Sequence, residues 1–237
     1  MLLPLLTTLA LAAPEDQVLT NAKGARLRWA SMPIPFVADP ANSAGLDEDG
    51  TVAAIVGGAG AWMWVEGSDV EYRFRGVKSG IQGGYDSENV VFFTDDWVGT
   101  EDLLALTSTW SDDAGTILDF DLAVNTRDHQ WSLDGSVGGD LQNALAHEFG
   151  HALGLGHDQE DEEATMFPSA SDGETSKRDL GPSDLAVARW LYPALDADEL
   201  DTPETRTLVG CHSAPSAGVL AFFPAALLVL RRRKEVT

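Results

Sequence analysis

The chain has 237 residues, with 15 Lys plus Arg against 38 Asp plus Glu and a formal charge of −23. That length holds one ordinary domain with extensions, large enough to bury a core without disulfides, and the single cysteine, Cys211, excludes an intrachain disulfide. So acidic a surface speaks against nucleic acid or an anionic membrane as the main partner.

Residues 1–12, MLLPLLTTLALA, form a short apolar run that ends in a small-x-small pattern and lacks a basic start. They read as a signal peptide, with the mature chain beginning near Ala13. Residues 13–25 are a short N-terminal segment, too brief for a folded propeptide, and the main domain is expected over 26–193. The run Ile34-Pro35-Phe36-Val37 predicts a first strand, bent or at an edge because of its prolines. Over 47–66, Val52, Ile55, Val56, Ala59, Trp62 and Met63 fall at helical spacing. Gly57, Gly58 and Gly60 weaken that helix, so tertiary packing must hold it. Residues 70–74 alternate and read as a strand, 77–88 as a glycine-containing loop, and 89–94 as a second apolar strand. Segments 104–110 and 117–125 predict a strand pair joined by a turn at 111–115. Asp119 and Asp121 share one face of the latter strand. They read either as a solvated face or as a calcium site, because hard cations collect carboxylates. Residues 126–140 form a loop, with His129 a loop histidine.

Asp140 can cap the next helix, which carries His147, Glu148 and His151. Four residues apart, the two histidines project from one helix face, one turn apart. Glu148 sits about 100° round from His147, among Leu141, Leu145 and Ala152. A carboxylate in an apolar stripe is costly unless it has a partner or a task. Gly154 can end the helix in the left-handed conformation and let the chain bring in His157. Three nitrogen ligands leave a tetrahedral zinc one open position, the arrangement of a catalytic rather than a structural ion.

The stretch His147-Glu148-x-x-His151-x-x-Gly154-x-x-His157 resembles the metzincin metalloproteases. Met166, nine residues past His157 and followed by Phe167-Pro168, looks like the Met-turn of their matrixin branch, with Phe where that branch carries Tyr. The last predicted helix, opened by Ser183 as cap, ends in Trp190-Leu191-Tyr192-Pro193 and is similar to the closing helix of matrixin domains. The resemblance spans roughly 26–193 and is specific over 147–193. It implies an α+β fold: a mixed, mostly antiparallel twisted sheet, two long helices, a zinc cleft and a small helical C-terminal subdomain. It also implies one catalytic zinc on His147, His151 and His157, Glu148 as general base, Met166 beneath the ligands, and a protein or peptide substrate paired to the edge of 104–110. The family's second, structural zinc is not carried over, since within 26–193 only His129 remains to bind it. Latency through a propeptide cysteine is excluded within this chain, because no cysteine precedes the zinc motif.

Residues 194–210 read as an acidic linker. In 211–237, Cys211 precedes an apolar stretch over 214–230 and then Arg231-Arg232-Arg233-Lys234. About 17 residues is the lower limit for a span, and the basic end fits a cytoplasmic stop. The tail resembles the C-terminal sorting signals of some Gram-negative bacteria, of the myxobacterial type, in which the cysteine carries a surface anchor; an ordinary tail anchor is the alternative. The expectation is an exported, monomeric metalloendopeptidase at the cell surface or secreted, against a zinc-binding surface protein without turnover.

Overall fold

The computed structural model describes residues 13–194, 224–228 and 231–232. The expected signal peptide, nearly all of the linker and Cys211 lie outside them. Strand β1 (Ile34–Ala38) leads into helix α1 (Glu48–Ala61), followed by β2 (Tyr72–Val77), β3 (Val90–Thr94), β4 (Ala105–Ser111) and β5 (Ile117–Asn125). Two-residue strands β6 (Trp131–Ser132) and β7 (Gly139–Asp140) precede helix α2 (Leu141–Ala152). Short β8 (Ser169–Ala170), helix α3 (Pro182–Leu191), β9 (Pro224–Leu228) and β10 (Arg231–Arg232) complete the order.

The main sheet runs β2-β1-β3-β5-β4-β9. Its sense corrects the expectation of a mostly antiparallel sheet. Pairs β1–β2, β1–β3 and β3–β5 are parallel, and antiparallel pairing is confined to β4–β5 and β4–β9. The reason is connectivity. Helix α1 carries the chain from β1 to β2, and a crossover of that length returns a strand parallel to the first. The tight turn between β4 and β5 can only reverse direction.

Helices α1 and α2 pack closely on one another. A Cβ at Gly58 would lie 2.8 Å from Leu145 Cβ and 3.0 Å from Ala146 N. The glycine that weakens α1 as an isolated helix is therefore what lets it approach α2. Trp62, at the end of α1, donates from Nε1 to Ala146 O at 2.7 Å and fixes the pair. Between these helices and the sheet, Phe36, Tyr72, Phe120 and Phe149 meet edge-on with centroids 4.9–6.4 Å apart. Such ring pairs add about 0.5–1.5 kcal/mol each beyond the area they bury. Tyr72 also donates its hydroxyl to Phe149 O at 2.7 Å, which pins the second half of α2 to β2.

The C-terminal subdomain is a 3₁₀ turn (Ser176–Arg178) and α3. Helix α3 starts two residues earlier than the sequence suggests. Gly181 is the N-cap, Pro182 opens the first turn, and the Asp184 carboxylate accepts from Gly181 N at 2.8 Å. Ser183 is buried inside that turn rather than capping it. Tyr192 ties the subdomain back, donating to Leu153 O at 2.5 Å while accepting from Trp29 N at 3.0 Å. Among the described residues, no helix is long and apolar enough to cross a membrane.

Candidate metal centre

Helix α2 begins as expected: Asp140 caps it by accepting from Asn143 N at 2.9 Å. A salt bridge from Arg178 then holds that carboxylate. The helix ends at Ala152 with Leu153 as its C-cap, and Gly154 follows at φ +97°. A Cβ there would also meet Leu27 O at 2.3 Å, so the reversal that delivers His157 needs glycine on two counts. The rings of His147, His151 and His157 come together with centroids 4.6, 5.1 and 4.9 Å apart. One ligating atom from each lies within 4.8 Å of the others.

The hydrogen bonds decide what those rings can do. His147 Nδ1 is 2.7 Å from Thr165 O and His151 Nδ1 is 2.8 Å from Leu155 O. A carbonyl only accepts, so both Nδ1 atoms carry the proton and both Nε2 atoms present a lone pair. His151 Nε2 is buried with no hydrogen-bond partner among the described residues. His147 Nε2 lies 3.2 Å from His157 Nε2. Tetrahedral zinc with bonds of about 2.0–2.1 Å needs its nitrogen ligands about 3.3–3.4 Å apart. The donor set therefore fits zinc, and a cation answers the otherwise orphaned lone pair of His151. Burial, followed by the neighbouring imidazoles, holds His147 well below the usual histidine range and pushes His151 down to about 3. Both rings are thus neutral near pH 7, the form that ligates.

The carbonyl that fixes His147 belongs to the expected Met-turn. Met166 is buried, with its Sδ where a Cβ on Gly150 would come within 2.3 Å, directly beneath the ligand helix. Asp184 organises the turn: Thr165 N donates to Oδ2 at 2.7 Å and Met166 N to Oδ1 at 3.0 Å. Residues 14–20, expected only as a short lead-in, form a strap over the third ligand. Gly156 N donates to Gln17 O at 2.7 Å, Leu19 N donates to Gly154 O at 2.8 Å, and Gln17 Nε2 reaches Asp158 Oδ2 at 3.2 Å. Spacing along the chain does not mark Asp184, Thr165 or Gln17 as site residues. The one sequence signal for any of them is an acid at the third position of α3, where it can cap.

Glu148 is fully buried, as its place in the apolar stripe of α2 requires. Its Oε2 accepts from Thr107 Oγ1 of β4 at 2.6 Å. His129 stays apart from the triad, with Nε2 3.0 Å from Leu103 O. Asp119 and Asp121 are not a solvated face: they are 0% and 5% exposed. The loop between β2 and β3 covers them. Asp119 Oδ2 accepts from the N–H groups of Asp86 and Ser87 at 2.9 Å, and Asp121 Oδ2 from Gly84 N at 2.5 Å. Among the described residues, the histidine triad is the one group of three or more metal-ligating side chains that could share an ion. Asp119 Oδ1 and Asp121 Oδ1 are buried with no hydrogen-bond partner among the described residues.

Comparison with known proteins agrees with this geometry. Residues 92–193, from β3 to the end of α3, match the matrixin sequence profile. The chain is 40% identical to human "Matrix metalloproteinase-27" over 106 residues, 45% of this chain and 20% of that protein. It is 34% identical to human "Matrilysin" over 65 residues, 27% of this chain and 24% of that protein. It is 39% identical to "Metalloendoproteinase 1-MMP" of Arabidopsis thaliana over 83 residues, 31% and 22%. The matched region spans only about a fifth to a quarter of these relatives' lengths. The matched segment contains all three histidines, Glu148 and Met166. β1, α1 and β2, which complete its sheet and seat its helix, lie outside the match.

Proposed function

We propose that this chain is an exported zinc endopeptidase that hydrolyses peptide bonds in proteins. Its catalytic unit would be residues 26–193, with the strap 14–20 bound to it. The observation that carries the reading is the convergence of three imidazoles whose Nδ1 positions are, for two of them, committed to backbone carbonyls, beside one buried carboxylate. Bound zinc supplies Lewis acidity: it acidifies water and polarises a peptide carbonyl. His147, His151 and His157 would hold the ion as neutral ligands. Glu148 would take a proton from the attacking water and return it to the leaving amine. Met166 gives the ligand helix a packed floor. An extended substrate would pair with the edge of β4, the strand next to the one that carries Asp119 and Asp121.

The expected signal peptide, residues 1–12, would direct export. The tail 211–237, with Cys211 as attachment point, would anchor the protein to the envelope. The test is Glu148→Ala. That variant should retain one zinc per chain and lose casein hydrolysis by about 10²-fold or more. Cleavage at the wild-type rate would remove Glu148 from the reaction, and chelator-insensitive cleavage by the wild type would remove zinc from it.

A further inference from the structure

We propose that Thr107 is a positioning residue for the general base, an inference that rests on the endopeptidase reading above. Thr107 lies in the middle of β4, opposite Leu122 in the antiparallel ladder, and is 2% exposed. Directly paired residues point to the same side of a sheet, and Leu122 is fully buried. Thr107 therefore faces inward, against α2. Its Oγ1 is 2.6 Å from Glu148 Oε2 and 3.1 Å from Glu148 O. A hydroxyl has a single proton to give, and the carboxylate oxygen is the nearer acceptor and carries the charge. A hydrogen bond to an ionised acceptor is also about twice as strong as a neutral one.

This contact addresses a problem that the zinc helix cannot solve alone. The helix fixes the Cα and Cβ of Glu148, but the last torsion of a glutamate is broad and roughly two-fold. The plane of the carboxylate, which decides where its lone pairs point, is set by what it touches. Thr107 supplies a donor from a different element, one held in register by the β4–β5 ladder. The β-branched side chain is itself stiff at χ1, so its hydroxyl is a rigid reference point. Because β4 is also the strand whose edge an extended substrate would meet, the base and the peptide would be aligned by one and the same strand. Misplacing a catalytic group by about 1 Å can cost 10²-fold in rate, so a residue that never touches substrate can still govern turnover.

Thr107→Val replaces the hydroxyl with a methyl of nearly the same shape, and Thr107→Ser keeps the donor. With zinc at saturation, Thr107→Val should lower kcat on a fluorogenic peptide roughly ten- to a hundred-fold, with KM and zinc content unchanged. Thr107→Ser should stay within about threefold of wild type. A second readout needs no turnover. In metal-free protein with 13C-labelled glutamate carboxyls, Thr107→Val should move one carboxyl resonance, the one abolished by Glu148→Ala, and Thr107→Ser should leave it near its wild-type position. Should Thr107→Val fail to fold, Thr107→Ala carries the same expectations. A wild-type kcat for the valine variant, equal losses for the valine and serine variants, or an unmoved Glu148 resonance would each overturn the assignment. An inactive wild type with an intact zinc site and a shifted resonance would instead overturn the endopeptidase reading and leave the contact standing.

Discussion

Gly150 lies between two zinc ligands in sequence, yet its importance comes from what lies against it. A Cβ at that position would come within 2.3 Å of Met166 Sδ and 2.6 Å of Trp62 Cζ2. The thioether can move, but the indole is fully buried and bound through Nε1 to Ala146 O. Gly150→Ala should therefore push α2 off its floor, at about 1–3 kcal/mol. Urea unfolding of the metal-free protein reads that loss, and an unchanged midpoint would show that the floor is soft. The contrast with the triad explains what a sequence exposes at this scale. His147, His151 and His157 are legible because their spacing on one helix and one turn already encodes their convergence. Thr107 and Gln17 are not legible, nor is the hold of Asp184 on the Met-turn, because those partners lie 41, 141 and 18–19 residues away. A threonine in a strand looks like any other until a helix is laid against it.

At the level of elements, the strand candidates were found within a few residues, whereas their sense was not. Nothing local in 34–37 or 89–94 tells a strand whether its neighbour runs with it; the long connections decide that. The same blindness affected Asp119 and Asp121. Alternation in β5 places both on one face, but only the loop before β3 determines that the face is covered. Burial, partly offset by the Gly84 N–H and reinforced by the neighbouring Asp119 and Asp86 charges, pushes the Asp121 carboxyl up to about 7. An unfolded chain releases that proton near pH 3.9. Between roughly pH 4 and 7 the folded protein therefore binds more protons than the unfolded one, and stability falls as pH rises through that window. Asp121→Asn keeps an acceptor for Gly84 N and abolishes the titration. Relative to wild type, its melting temperature in EGTA should climb between pH 5 and pH 8. A difference between the two proteins that stays constant over that range would mean that the loop does not hold Asp121 protonated.

For the molecule as a whole, the main question is what covers the outer edge of β4. Exposed edges with unpaired N–H and C=O groups recruit other strands, and here the recruit is the chain's own β9. Its register pairs Thr107 with Leu228, Thr109 with Ala225 and Trp110 with Pro224, antiparallel. That is the position proposed for an extended substrate. The same segment falls in the apolar stretch expected to anchor the protein, and it cannot pair with β4 and cross a bilayer at once. The two roles exclude each other, so insertion of the tail, or its removal, would clear the edge. A tethered segment competes at an effective concentration on the order of millimolar, well above ordinary peptide concentrations. It competes for access and leaves the zinc ligands and Glu148 in place. Ending the chain after Gly210 should therefore lower KM for extended peptides by roughly tenfold with little change in kcat, and should barely affect a dipeptide-sized substrate too short to use the edge. Steady-state kinetics on a peptide length series measures this directly. If full-length and shortened chains share one KM at every length, β9 does not compete with substrate, and the anchor and the active site operate independently.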